Sequence, residues 1–248
     1  MREVVAMRRI LLGGIVLLGW LVFTVGNVPQ IAHAWKPSLP GFGTKKETAK
    51  AVNMDELRAG GAAISILVAK ATESYLEGTG KILTSAGHKE KAVKYETAAK
   101  DLRKNREDPQ KLKDTVNKIN EGNKDLEEIL KQQAVFSGKA RKQFVTGVAY
   151  VGAAGLADGT AGKLTADHLE KLNGAIKVVK EEPLKYGAGA LAYLTEAADL
   201  MTFLSANLPV HADSIGNTYS ALVKYANTCG VAVSQADCDT QLGKITAK

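Results

Sequence analysis

The chain has 248 residues and carries 33 Lys plus Arg against 26 Asp plus Glu, a net charge of +7. Past residue 34 only Arg58, Arg103, Arg106 and Arg141 are Arg; the rest of the basic charge is Lys, a solvated point charge, whereas recognition of phosphate or base edges favours planar Arg. With no Arg cluster and no aromatic stacking platform, the composition argues against nucleic acid as a partner, and Lys interleaved with acids reads as a wet surface, with at most peripheral attraction to an anionic membrane.

Residues 1–34 read as a secretory signal: a basic start (Arg2, Arg8, Arg9), an uncharged apolar stretch from Ile10 to Gly26, then a polar segment with Pro29 that ends Ala32, His33, Ala34. Cleavage is expected after Ala34. An uncleaved anchor is the competing reading, but 17 residues lie at the lower edge of what crosses a hydrocarbon core of about 30 Å. Trimming removes three Arg and Glu3, which leaves 214 residues with 30 basic and 25 acidic, or +5. That length suits one large helical core. The periplasm is the expected destination, and full secretion the alternative.

Residues 35–52, with two Pro, two Gly and four Lys, read as an extended leader. A first helix is predicted over 53–85, with Asp55 and Glu56 in its first turn, where negative charge suits the helix dipole. Gly60, Gly61, Gly78 and Gly80 lie inside it at a cost of up to about 1 kcal/mol each relative to Ala; this predicts either close helix packing or a break near Gly78. From His88 to Gln133, Ala92, Tyr95, Ala99 and Leu102 recur at helical spacing and a turn follows at 105–108. Asp108 then stands as an N-cap with Pro109 at the first helical position, and Leu112, Val116, Ile119, Asn123, Leu126 and Leu130 continue as a heptad seam with one polar member. Asn123 either sets register or is satisfied locally beside Gly122.

Ser137 is read as the cap of an apolar helix through Phe144, Val145, Val148, Val151 and Leu156. No charge occurs from Phe144 to Ala157, a stretch of only about 21 Å at helical rise and so too short to span a bilayer. Residues 158–163 are predicted as a loop and Thr165 as the cap of a short helix carrying Leu169, Leu172, Ile176 and Val179. Pro183 opens a helix that is apolar on nearly every face as far as Ala206, which places it in a core or an interface, and Pro209 starts the last substantial helix. Cys229 and Cys238, separated by eight residues in an exported chain, are expected to form a disulfide worth somewhat under about 3 kcal/mol, followed by a polar tail. The expected fold is therefore all-α: an antiparallel bundle of six to seven helices over 53–228, then a disulfide loop and tail over 229–248.

No local motif carries chemistry. His88, His168 and His211 are far apart in sequence and fit no metal-ligand spacing; His168 reads as a surface residue and His211 as a polar neighbour of a helix cap. The run from Gly159 to Thr165 lacks the Ser or Thr that must follow a phosphate-loop lysine, since Leu164 stands there, and no G-x-S-x-G elbow occurs. No catalytic, cofactor or metal residue is assigned. The functional expectation is a non-catalytic, exported envelope protein that binds a lipid-like, apolar or amphipathic ligand, or an envelope protein partner, between helices. The candidate groove is Phe144, Val148, Val151, Leu191, Leu194 and Phe203. The alternatives are a membrane-active or self-assembling helical protein and an enzyme whose groups converge from distant helices.

Overall fold

The computed structural model describes residues 51–132 and 137–247; residues 1–34, read as an export leader, and nearly all of the 35–52 segment lie outside the described residues. Among these the chain is entirely helical, in the order α1 (Met54–Ser85), α2 (Lys89–Lys104), α3 (Pro109–Val116), α4 (Lys118–Leu130), α5 (Gly138–Glu181), α6 (Pro183–Tyr186), α7 (Ala188–Thr228) and α8 (Gln235–Thr246). Local chemistry sets the early boundaries. Asn53 Oδ1 accepts the Glu56 N–H at 3.1 Å and starts α1, and Gly87, with φ of +90°, turns the chain into α2 in a region that glycine enters without steric cost. Asp108 Oδ1 accepts from the Gln110 and Lys111 amides at 2.9 and 3.1 Å, a cap worth about 1 kcal/mol. The heptad seam is interrupted once, at Asn117.

α1, α5 and α7 form the frame, with α5 antiparallel to both. Gly78 lies against Gly147 and Gly60 against His168, while Gly152 meets Tyr219 and Gly162 meets Leu208 and Pro209. α2 closes on α1 through Glu73, which is 8% exposed and takes Arg103 Nε on one carboxylate oxygen and an Arg106 guanidinium nitrogen on the other, both at 2.7 Å. Asn123 is satisfied across three helices: its Oδ1 is 2.8 Å from Tyr75 Oη and its Nδ2 donates to Ser214 Oγ at 2.8 Å. It ties α4 to α1 and α7, and Gly122 beside it leaves room for the Tyr75 ring.

Four expectations are corrected by packing. Residues 158–163 are not a loop but the middle of α5; Gly159 and Gly162 are contact points there, since a Cβ on them would come within 3.8 Å of Ala212 and 3.6 Å of the Pro209 ring. Thr165 accordingly caps nothing, and its hydroxyl donates back to the Ala161 carbonyl at 2.7 Å. Pro209 sits inside α7 instead of starting a helix; the lost backbone bond is a local cost, outweighed because α7 buries an apolar stripe on both sides of it. The helix that Pro183 opens lasts one turn, because Gly187 (φ +80°) breaks it before α7 begins.

The disulfide is the fourth correction, because Cys229 and Cys238 do not come within bonding distance. Cys229 ends α7, Gly230 (φ +65°) reverses the chain, and Ser234 Oγ caps α8 by accepting from Ala236 at 3.1 Å. That cap makes the supposed polar tail a helix. It directs Cys238 into a small cluster with Ala71, Ala153, Ala157, Leu242 and Ile245, where burial, with Asp239 nearby, pushes its thiol up to about 12.

Candidate functional site

The six residues of the expected groove do not share one. Phe144, Val148 and Val151 are fully buried in a core cluster with the second half of α1 and with α2 and α4. Leu194 is buried in a separate cluster built on the first half of α1, with Leu191 and Phe203 packed on its edge. The two clusters occupy opposite stretches of the same long helices, so the apolar faces of α5 and α7 are consumed by packing.

Between those clusters lies a polar layer. On α1 the interval runs from Ala69 to Tyr75, on α5 from Ala161 back to Ala154, and on α7 from Leu208 to Ile215. Within it sit Thr72, Asp158 and His211, at 0%, 0% and 2% exposure. Thr72 Oγ1, both Asp158 carboxylate oxygens and His211 Nδ1 have no hydrogen-bond partner among the described residues. Asp158 and His211 occupy facing turns, since their next neighbours Gly159 and Ala212 are in contact. Burial alone pushes the Asp158 carboxyl up to about 8 and holds His211 below the usual imidazole range, so both are kept neutral. His168 is likewise buried, at 2%, in a notch made by the missing side chains of Gly60 and Gly61. Burial and Lys171 lower its basicity, against the Leu57 carbonyl and Glu56, which raise it. The surface and cap-neighbour readings of His168 and His211 are therefore corrected: a helix longer than its local signals carries each of them inward. Of the described histidines His88 alone stays outside, 3.1 Å from Gln132 Oε1.

The concave surface with converging polar groups lies elsewhere, in the angle between the first turns of α5 and the length of α8. It encloses about 520 Å³ and is lined by Arg141, Lys142, Val145, Thr146, Ala149 and Tyr150 from α5 and by Asp237, Thr240, Gln241 and Lys244 from α8. Both sets recur at three and four residues, as they must if one stripe of each helix faces the cleft. Val145 and Ala149 supply an apolar floor. Arg141 is committed to the carbonyl of Gly230 and so pins the turn that delivers α8. Thr146 and Thr240 are turned back on their own helices, donating to the Lys142 and Ala236 carbonyls. Lys142, Asp237 and Lys244 are exposed to solvent along the rim of the cleft. Gln241 is 8% exposed; its Nε2 reaches Ser74 Oγ at 3.4 Å and its Oε1 has no partner there. A second depression of about 490 Å³ borders α5 around Glu170 and Lys177, but only Ser205 joins it from another helix, so nothing converges on it.

Asp158 had a sequence signal, since it falls at helical spacing from Ala154, Ala161 and Thr165, in register with a buried stripe. The α8 residues had none, because a 12-residue segment with five charged or amide side chains before a chain end looks like a tail until its neighbours are known. Among the described residues no helix is long and apolar enough to cross a membrane, and no three His, Cys, Asp or Glu side chains gather as a metal site. No protein-family model, curated protein or solved structure matches the chain.

Proposed function

We propose that this is an exported, non-catalytic binding protein of the cell envelope that holds an amphipathic ligand in the cleft between α5 and α8. The observation that carries the reading is the composition of that cleft: an apolar floor of Val145 and Ala149 under a rim of Lys142, Lys244 and Asp237. A cleft of about 520 Å³ is of the size that small ligands occupy, and such sites combine an apolar surface with a few placed polar groups. Export is read from residues 1–34 and predicts that protein recovered from the envelope begins at Trp35.

Anilinonaphthalene sulfonate, an anionic amphipath that becomes fluorescent in apolar surroundings, tests the cleft. Folded protein is expected to take up the dye at a single site, and Val145→Trp, which fills the floor from a half-buried position, is expected to abolish it. Absence of a saturable site, or dye binding unchanged in the Trp variant with its helicity intact, would remove the reading.

A further inference from the structure

We infer that the polar layer between the two cores is a binding site for ordered water, held by Asp158 of α5, His211 of α7 and Thr72 of α1. Four polar atoms, Thr72 Oγ1, both Asp158 carboxyl oxygens and His211 Nδ1, are buried there without a hydrogen bond to one another or to any other described residue. Polar atoms sealed from solvent are paired almost without exception in folded proteins, and interior water is the usual partner where the chain supplies none.

The packing turns the three side chains toward one interhelical axis. α5 is antiparallel to both α1 and α7, and in an antiparallel pair the residues that follow a contact pair, or that precede one, come off the same side of the contact, each a turn of about 100° away. Ala71 and Ala157 share one small cluster, so Thr72 and Asp158, which follow them, face the same way. Gly159 lies against Ala212, so Asp158 and His211, which precede them, also face together. One turn to either side of Asp158 on α5 stand Ala154, Gly155, Ala161 and Gly162, and no long side chain of its own helix covers the carboxyl.

The chemistry selects water over an ion. Burial keeps Asp158 and His211 neutral. A neutral carboxyl and a hydroxyl each donate and accept, and Nδ1 takes whichever role its tautomer leaves it. An anion needs donors alone and a cation acceptors alone, whereas water offers two of each and meets the mixed set. The layer also continues into a paired network. Tyr75 and Ser214, one turn on from Thr72 and His211, are joined through Asn123 of α4, and Ser214 is half-buried. Water thus has a hydrogen-bonding path inward along α4.

A crystal structure of the full chain, at a resolution that places ordered water, tests the site. It is expected to show an oxygen atom about 2.7–3.2 Å from Asp158 and from at least one of Thr72 Oγ1 and His211 Nδ1. An empty layer, side chains that bond one another directly, or a peak at the roughly 2.0–2.2 Å of a metal–ligand bond overturns the inference. In solution, cross-peaks between water and the Thr72 methyl protons are expected with opposite signs in NOESY and ROESY spectra, the signature of a bound water. Asp158→Leu, similar in size and unable to hydrogen-bond, is expected to abolish them. Their persistence in that variant would trace them to exchange of the Thr72 hydroxyl and overturn the inference. Circular dichroism checks that the variant folds, and if it does not, the crystal structure of the unaltered chain decides.

Discussion

Asp158→Asn is expected to abolish a fall in stability that the wild-type protein undergoes between pH 6.5 and 8. The carboxyl is fully buried among apolar helices and its folded-state pKa is raised to about 8, far above the unfolded value near 4. A raised pKa means that the folded state holds the proton more tightly, so the stabilisation is complete below about pH 4 and is lost as pH climbs through 8. His168 and His211 act in the opposite sense, because their folded pKa values are lowered. Their contribution is whole above pH 6.5 and is lost as the solution becomes more acid. Below 6.5 the imidazoles oppose the carboxyl, and as pH rises towards 8 their contribution saturates and Asp158 dominates the slope. Stability should therefore fall on the way to pH 8, by up to about 1.36 kcal/mol per pH unit. Asn keeps the shape and cannot ionise, so urea denaturation of the variant should show no fall in midpoint between pH 6.5, 7.25 and 8. A slope that survives the substitution would place the titration elsewhere.

Gly147→Ala should cost the protein about 3 kcal/mol or more, whereas Gly216→Ala should stabilise it. Both glycines are inside helices, where alanine is intrinsically preferred by up to about 1 kcal/mol, so a scale of propensities assigns them the same sign. The surroundings separate them. A Cβ on Gly147 would stand 2.7 Å from the Gly78 carbonyl oxygen and 2.7 Å from Ile82 Cγ1. The first of these is backbone and cannot rotate away. Relief requires α1 and α5 to move apart along their contact, which loosens the buried residues on either side and exceeds the usual 1–3 kcal/mol of an overpacked side chain. Gly216 on α7 has nothing within 4 Å of the same position and gains only the helix preference. Thermal unfolding of the two variants beside wild type reads both signs at once, and equal shifts would contradict the close approach of α1 and α5.

The apolar groove expected from Phe144, Val148, Val151, Leu191, Leu194 and Phe203 rested on correct periodicity but could not tell which partner each stripe would find. Hydrophobicity has no address: the same residues serve a cavity or a sealed core, and here the six divide between two cores. The cleft between α5 and α8 was missed for the converse reason. Its residues are polar, scattered over two segments about a hundred positions apart, and become a set only when Ser234 starts α8 and Arg141 holds the turn before it.

By itself the sequence determined the helical class, the two ends of α1 to within a residue, the turn at 105–108 and the Asp108–Pro109 start of α3, because caps, proline at a first turn and a helical apolar period act through neighbours a few bonds away. Tertiary structure alone decided that 158–163 and Pro209 remain helical, that Asp158 and His211 are sealed between two cores, and that Cys229 and Cys238 stay apart. At each of those places a local preference of about 1–3 kcal/mol was opposed by the packing of helices 41 and 44 residues long, and the larger, non-local term prevailed.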